Sequence, residues 1–162
     1  MERCAVITVS DRAAAGERED LSGPAVVAAL AAAGYDATLT VVADGELSVS
    51  AALRTALADG ARLVVTTGGT GVGPRDRTPE GTRGLIDRDL PGVAELLRAE
   101  GRKHSSHAAL SRGLAGVTAA SDTGPSAFVV NLPGSPSAAR EGIGVLLELL
   151  PHILDQLDGG DH

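Results

Sequence analysis

T-T-G-G-T-G-V-G-P-R-D-R-T-P-E, residues 66–80, follows directly on the apolar run Leu63-Val64-Val65, and the change of character at that junction decides how the chain is read. The apolar run predicts a short buried strand. A strand that ends in Gly68, Gly69, Gly71 and Gly73 leaves the sheet through backbone without Cβ atoms, so its N–H groups can approach a ligand closely. The next residues, Arg75, Asp76 and Arg77, add two cations and a carboxylate able to hold Mg²⁺. The expectation is an anion cradle built for chemistry on phosphates. Glycines alone describe a flexible surface turn equally well; the R-D and T-P-E that follow favour the cradle. Thr78-Pro79-Glu80 predicts a helix start, with Thr78 as capping hydroxyl, proline in the first turn and an acid near the positive end of the dipole. The loop lacks the Lys-Ser/Thr ending of GxxxxGK[ST] and the G-x-G-x-x-G order of dinucleotide-binding turns.

On the N-terminal side of this loop, residues 4–9 predict a first buried strand ending at Ser10-Asp11. Ser22-Gly23-Pro24 opens a helix that Gly34 closes, residues 35–42 predict a second strand ended by Asp44-Gly45, and residues 48–58 predict a helix. On the C-terminal side, residues 81–89 and 93–101 read as helices separated by Pro91-Gly92, and residues 104–111 as another short one. Residues 119–126 read as a loop and residues 128–132 as a strand. A second small-residue loop leaves that strand through Asn131, Pro133 and Gly134, and residues 137–157 predict a long helix that Pro151 kinks or divides. Residues 158–162 are expected to fray. Strands alternating with helices predict an α/β fold, a three-layer α/β/α domain around a mostly parallel sheet. Ligands of such sheets bind beyond the carboxyl ends of the strands, which places Ser10, Asp11, Asp44 and the 68–76 loop on one rim.

A length of 162 residues fits one domain with a full core and not two ordinary ones. Tyr35 and Phe128 are the only aromatic residues, which removes the stacking platforms of single-strand nucleic-acid binders, and a net charge of −7 argues further against a nucleic-acid partner. An anionic ligand must then be attracted by a local field against the sign of the whole chain. Cys4 is the single cysteine, so no internal disulfide and no cysteine-based zinc site is expected, and no apolar run predicts a leader or a membrane span. A cytoplasmic protein is the consistent reading. His104 and His107 lie one helical turn apart without a third ligand at a suggestive spacing and read as a solvated face. Ser105 and Ser106 lack a nucleophile-elbow context, and Cys4 reads as a small core residue.

Four motifs in order, S-D-R-A-x-x-G near the first strand, T-T-G-G-T-G-x-x-x-R-D-x-T-P-E after the third, L-S-R at Leu110-Ser111-Arg112 and N-L-P-G-x-P from Asn131, resemble the MoaB/Mog family of molybdenum-cofactor biosynthesis proteins. The resemblance spans nearly the whole chain. It implies a domain that binds molybdopterin and, in Mog-type members, an adenylyltransferase that moves AMP from Mg·ATP to the terminal phosphate of molybdopterin with release of pyrophosphate. By that resemblance Asp44 and Asp76 are the catalytic aspartates and Mg²⁺ ligands. Gly68, Gly69, Thr70 and Gly71 would hold a phosphate by backbone N–H, with Ser10, Asp11 and Arg75 on the same rim. Ser111 and Arg112 would form a second anion contact, and Asn131, Pro133 and Gly134 the opposite wall. Read alone, Asn131 caps a turn, Arg112 is a surface charge and Asp44-Gly45 is a turn signal. The family also implies trimers or hexamers. Two departures stand out: Ala115-Gly116-Val117-Thr118 lacks an arginine that the family places there and leads into the longer 119–126 loop, and the usual T-P-E-A is T-P-E-G here. A MoaB-type binding protein without catalysis and a nucleotide-binding module for another substrate are the alternative functions.

Overall fold

The computed structural model describes residues 1–122 and 124–160. Its centre is a six-stranded mixed sheet in the order β2-β1-β3-β6-β5-β4. The four strands β1 (Arg3–Val9), β2 (Asp36–Val42), β3 (Leu63–Thr67) and β6 (Phe128–Leu132) run parallel, and the short β5 (Ala115–Val117) and β4 (Arg88–Asp89) are antiparallel additions on the β6 side.

Period-two alternation sorts the strand side chains into two cores. Cys4, Val6, Leu63, Val65, Phe128, Val130 and Leu132 face α2 (Ser22–Ala32), α5 (Pro91–Arg102) and α6 (Pro136–Leu157). Ala5, Ile7, Val9, Val64 and Val129 face Val49 and Leu53 of α3 (Glu46–Ala58). The result is the expected α/β arrangement of a mixed sheet between two helical layers. Cys4 is fully buried, and desolvation pushes its thiol up to about 12, so it stays protonated and packs as an apolar residue.

Several local expectations change. The short α1 (Asp11–Ala14) follows β1 at once, with the Ser10 hydroxyl accepting from the Ala13 amide at 3.2 Å as its cap. Residues 81–89 are not one helix: α4 (Thr78–Arg83) stops early and Arg88–Asp89 pair with β5 instead. The short helix expected at 104–111 is a 3₁₀ turn, Ser106–Leu110. Pro151 lies inside α6 without ending it, because Ile143, Leu146, Leu150 and Leu154 stay buried on both sides of it. Of the tail expected to fray, residues 161 and 162 lie outside the described residues, and α6 closes with a C-cap at Asp158.

Since β5 runs antiparallel to β6, the end of β5 at Val117 lies beside Phe128, at the start of β6. The departing residues 118–122, and 124–127 leading into β6, therefore sit at the opposite edge of the sheet from the carboxyl ends of the parallel strands.

Candidate active site at the carboxyl rim of the sheet

Gly68 and Gly69 leave β3 with φ of +91° and +66°, values that glycine adopts without strain. The path is also sterically closed to a side chain: a Cβ on Gly68 would lie 2.3 Å from the Val9 carbonyl oxygen, and one on Gly134 would lie 3.1 Å from the Gly68 Cα. The exits of β1, β3 and β6 thus touch. The Gly68 amide donates to the Leu132 carbonyl at 3.0 Å, so it is not free for a ligand as the sequence suggested. Among the described residues, the amides of Gly69, Thr70 and Gly71 meet no protein acceptor, and these three form the cradle. Thr78 does not cap α4. Its hydroxyl donates to the Gly68 carbonyl at 2.9 Å and its amide to the Gly69 carbonyl at 3.0 Å, which latches the loop to the helix behind it.

The acids flank this cradle. Asp76 accepts from the Gly73 amide at 2.9 Å and donates its own amide to the Gly73 carbonyl at 3.1 Å, which folds the 71–76 segment around its carboxylate. A Cβ on Gly71 or Gly73 would come within 2.9 Å of that carboxylate. Asp44 and Asp11 exchange backbone amides: Asp11 donates to the Asp44 carboxylate at 2.9 Å and Asp44 to the Asp11 carboxylate at 3.1 Å. Desolvation raises the pKa of Asp44, and repulsion from Asp11 and Asp76 adds to it. The Arg75 guanidinium, bonded to both Asp11 oxygens at 3.0 Å, holds that carboxyl below its ordinary range.

The arginines around the loop are all paired with acids. Arg75 also donates to the Asp44 carbonyl at 2.9 Å, and Arg77 lies 3.6 Å from Glu46 and 3.8 Å from Glu80. Arg112, expected to meet an anion, donates to the carbonyls of Gly71 at 2.8 Å and Asp76 at 2.7 Å and to the Glu80 carboxylate at 2.5 Å. Its hydrogen bonds hold Glu80 below the usual carboxylate range. Its own task is to tie the cradle to α4.

Asn131 is buried and internally satisfied. Its amide nitrogen donates to Thr66 at 3.0 Å and Thr82 at 3.1 Å, and its oxygen accepts from Leu114 at 3.0 Å, so it fixes the wall through the backbone. Ser111, Asn131 and Pro133 do line a cleft of about 340 Å³ that opens from Thr70 and Gly71 and continues between α5, the 3₁₀ turn and α6. Sequence reasoning missed the far part of this cleft, Leu97, Arg98 and Glu141, since those residues carry no motif and meet only in the fold. His104 and His107, read as a solvated face, line it too; among the described residues no group of three His, Cys, Asp or Glu could hold a metal. A second, partly buried network, in which Asp20 accepts from Thr8 at 2.7 Å and from the Gly23 amide at 3.0 Å while Ser22 bonds Thr67 at 3.0 Å, ties β1 and β3 to the start of α2. No local sequence signal marks it, because its members lie on separate elements.

A family model described as a probable molybdopterin binding domain matches residues 5–152. The chain is 45% identical over 158 residues to a molybdenum cofactor biosynthesis bifunctional protein of Synechococcus elongatus, covering 97% of this chain and 48% of the other. It thus spans about half the length of that relative. It is 39% identical over 150 residues to a molybdopterin adenylyltransferase of Pyrococcus furiosus, covering 92% of this chain and 87% of that protein. The crystal structure of the molybdopterin biosynthesis enzyme MoaB from Thermus thermophilus superposes with a TM-score of 0.87 at 42% identity, over 98% of each chain.

Proposed function

The chain belongs to the molybdopterin-binding domain family, and on that premise we propose that it is a molybdopterin adenylyltransferase, moving AMP from Mg·ATP to the terminal phosphate of molybdopterin with release of pyrophosphate. One observation carries the reading: three consecutive amides without a protein acceptor, Gly69 to Gly71, set between two acids that repel one another. An oxygen of the molybdopterin phosphate bonds to the α-phosphorus of ATP as the bond from that phosphorus to the pyrophosphate oxygen breaks. Such a transfer asks a protein for alignment and charge compensation and little covalent chemistry. The amides of the cradle hold phosphate oxygens, and Asp44 and Asp76 hold Mg²⁺, which supplies the compensating charge when bound.

The donor set fits that ion. Both ligands are hard carboxylate oxygens, and a cation held by them would relieve the repulsion felt at Asp44. Among the described residues no three His, Cys, Asp or Glu side chains form a metal-holding group, so Asp44 and Asp76 would leave the rest of the ion's shell to phosphate oxygens and water. The pairing of Arg75, Arg77 and Arg112 with acids has a consequence: little uncompensated positive charge awaits a phosphate, so nucleotide binding depends on the metal. We place the whole chain as one molybdopterin-binding domain, cytoplasmic and assembled as a homo-oligomer of three or six copies.

The test is incubation with molybdopterin, ATP and Mg²⁺ and detection of adenylylated pterin. Wild-type protein forms product, omission of Mg²⁺ abolishes it, and Asp76→Ala lowers turnover on the order of 100-fold or more. Tight pterin binding without product from wild-type protein would mark a binding-only member and overturn the enzymatic reading.

A further inference from the structure

We propose that Glu141 reads the pterin ring: its carboxylate accepts the N3–H and 2-amino donors of the bound substrate, and this pairing sets which bicyclic ring the cleft takes. The proposal rests on the adenylyltransferase reading and adds to it a residue that selects the substrate. The cleft has a phosphate end and a ring end. Thr70 and Gly71 bound it beside the acids, while Leu97, Ala108 and Val145 supply apolar surface further out, suited to a flat heterocycle. Helix α6 leaves the rim next to Gly134, and Glu141 stands six residues beyond its Ser135 cap, about 9 Å along the helix axis at 1.5 Å per residue. Glu141 lines the same cleft as Thr70 and Gly71, so a substrate whose phosphate lies at the cradle and whose ring extends along the cleft turns its amino edge toward Glu141.

The other charged groups of the cleft are engaged. Glu100 is closed off by Lys103, whose ammonium lies 2.7 and 2.8 Å from its two oxygens. Arg98 donates to the carbonyls of Ser111 and Gly113 at 3.3 and 3.1 Å. Glu141, its side chain 31% exposed, has among the described residues one ionisable side chain within 4 Å, His104 with Nδ1 at 3.7 Å, beyond hydrogen-bond length. Its two oxygens therefore remain available to a ligand. The pyrimidine edge of a pterin presents two N–H donors side by side, the same fork that lets a guanidinium pair with a carboxylate in a bidentate manner.

Titration with pterin and with lumazine, in which a carbonyl replaces the 2-amino group, tests this by ring fluorescence. Wild-type protein should prefer pterin by about tenfold or more. Glu141→Gln should reverse that preference, because a carboxamide offers one acceptor and one donor, which match the N3–H and 2-carbonyl of lumazine and leave the 2-amino donor of pterin facing an N–H. The same variant should raise the KM for molybdopterin about tenfold while leaving the KM for Mg·ATP unchanged, and the unchanged value also shows that it folds. Glu141→Ala should weaken both rings without restoring a preference. An unaltered preference or an unaltered molybdopterin KM in Glu141→Gln overturns the inference and leaves the function standing; failure of wild-type protein to bind pterin while it binds Mg·ATP overturns both.

Discussion

Asp44 shows how a proposed catalytic position can weaken the fold that carries it. Its carboxyl is partly desolvated and repelled by Asp11 and Asp76, so its pKa lies above the ordinary 3.8. A raised carboxyl favours the protonated state: the associated stability is complete below pH 3.8 and is lost as pH rises through the folded value, so ionised Asp44 is a liability at neutral pH. Asn at this position removes the charge and keeps an oxygen for the Asp11 amide. Asp44→Asn should therefore melt at pH 7 no lower than the wild type and at most about 2 °C higher, since solvent screens much of the effect. The advantage should vanish near pH 3.5, and turnover should fall on the order of 100-fold. A large loss of Tm at pH 7 would contradict the account. Asp11 and Glu80 behave oppositely, being held low by Arg75 and Arg112, so their ion pairs persist above the ordinary carboxylate range and open only as pH falls below it. These pairings were illegible in the sequence because the partners lie 64 and 32 residues apart, and a local reading left Arg112 a surface charge while the family resemblance gave it an anion.

The contact between α3 and α4 tests helix propensity against packing. At Gly81 the chain has T-P-E-G where the family it resembles favours T-P-E-A, and propensity alone makes alanine better by about 1 kcal/mol. A Cβ there would lie 2.7 Å from the Glu46 carbonyl oxygen and 2.9 Å from the Val49 Cβ, both parts of α3 with little freedom to move. Overpacking of this kind costs about 1–3 kcal/mol, so Gly81→Ala should destabilise the protein by about 1 kcal/mol net, measured by urea denaturation, with turnover falling as α4 shifts the Thr78 latch. A gain in stability would show that the helices separate easily. The elements were legible where period or apolar runs set them, as in β1, β2, β3, β6 and α6. They were not at β4 and β5, two and three residues long, whose strand character comes entirely from pairing with β6 and one another. Nothing in Ala115-Gly116-Val117 or Arg88-Asp89 carries that information locally. The glycine loop, in contrast, was legible because φ and close approach leave glycine as the residue that fits.

Over the whole molecule, the sheet ends on one side in β2, whose outer edge pairs with no other strand among the described residues and whose Leu39 and Val41 are 39% and 37% exposed. An open edge with apolar side chains invites association. With the proposed trimer or hexamer, light scattering should give a mass three or six times 16.2 kDa, and Leu39→Lys combined with Val41→Lys should shift it toward the monomer if β2 lies in the interface. An unchanged mass would place the contact elsewhere. The touching exits of β1, β3 and β6, with Gly68 wedged against Val9 and Gly134, have a mechanical consequence. Three strands anchored at one point cannot yield separately, so the floor of the proposed site is a rigid mould cast before any ligand arrives, while Val72 on the loop beyond it is 73% exposed.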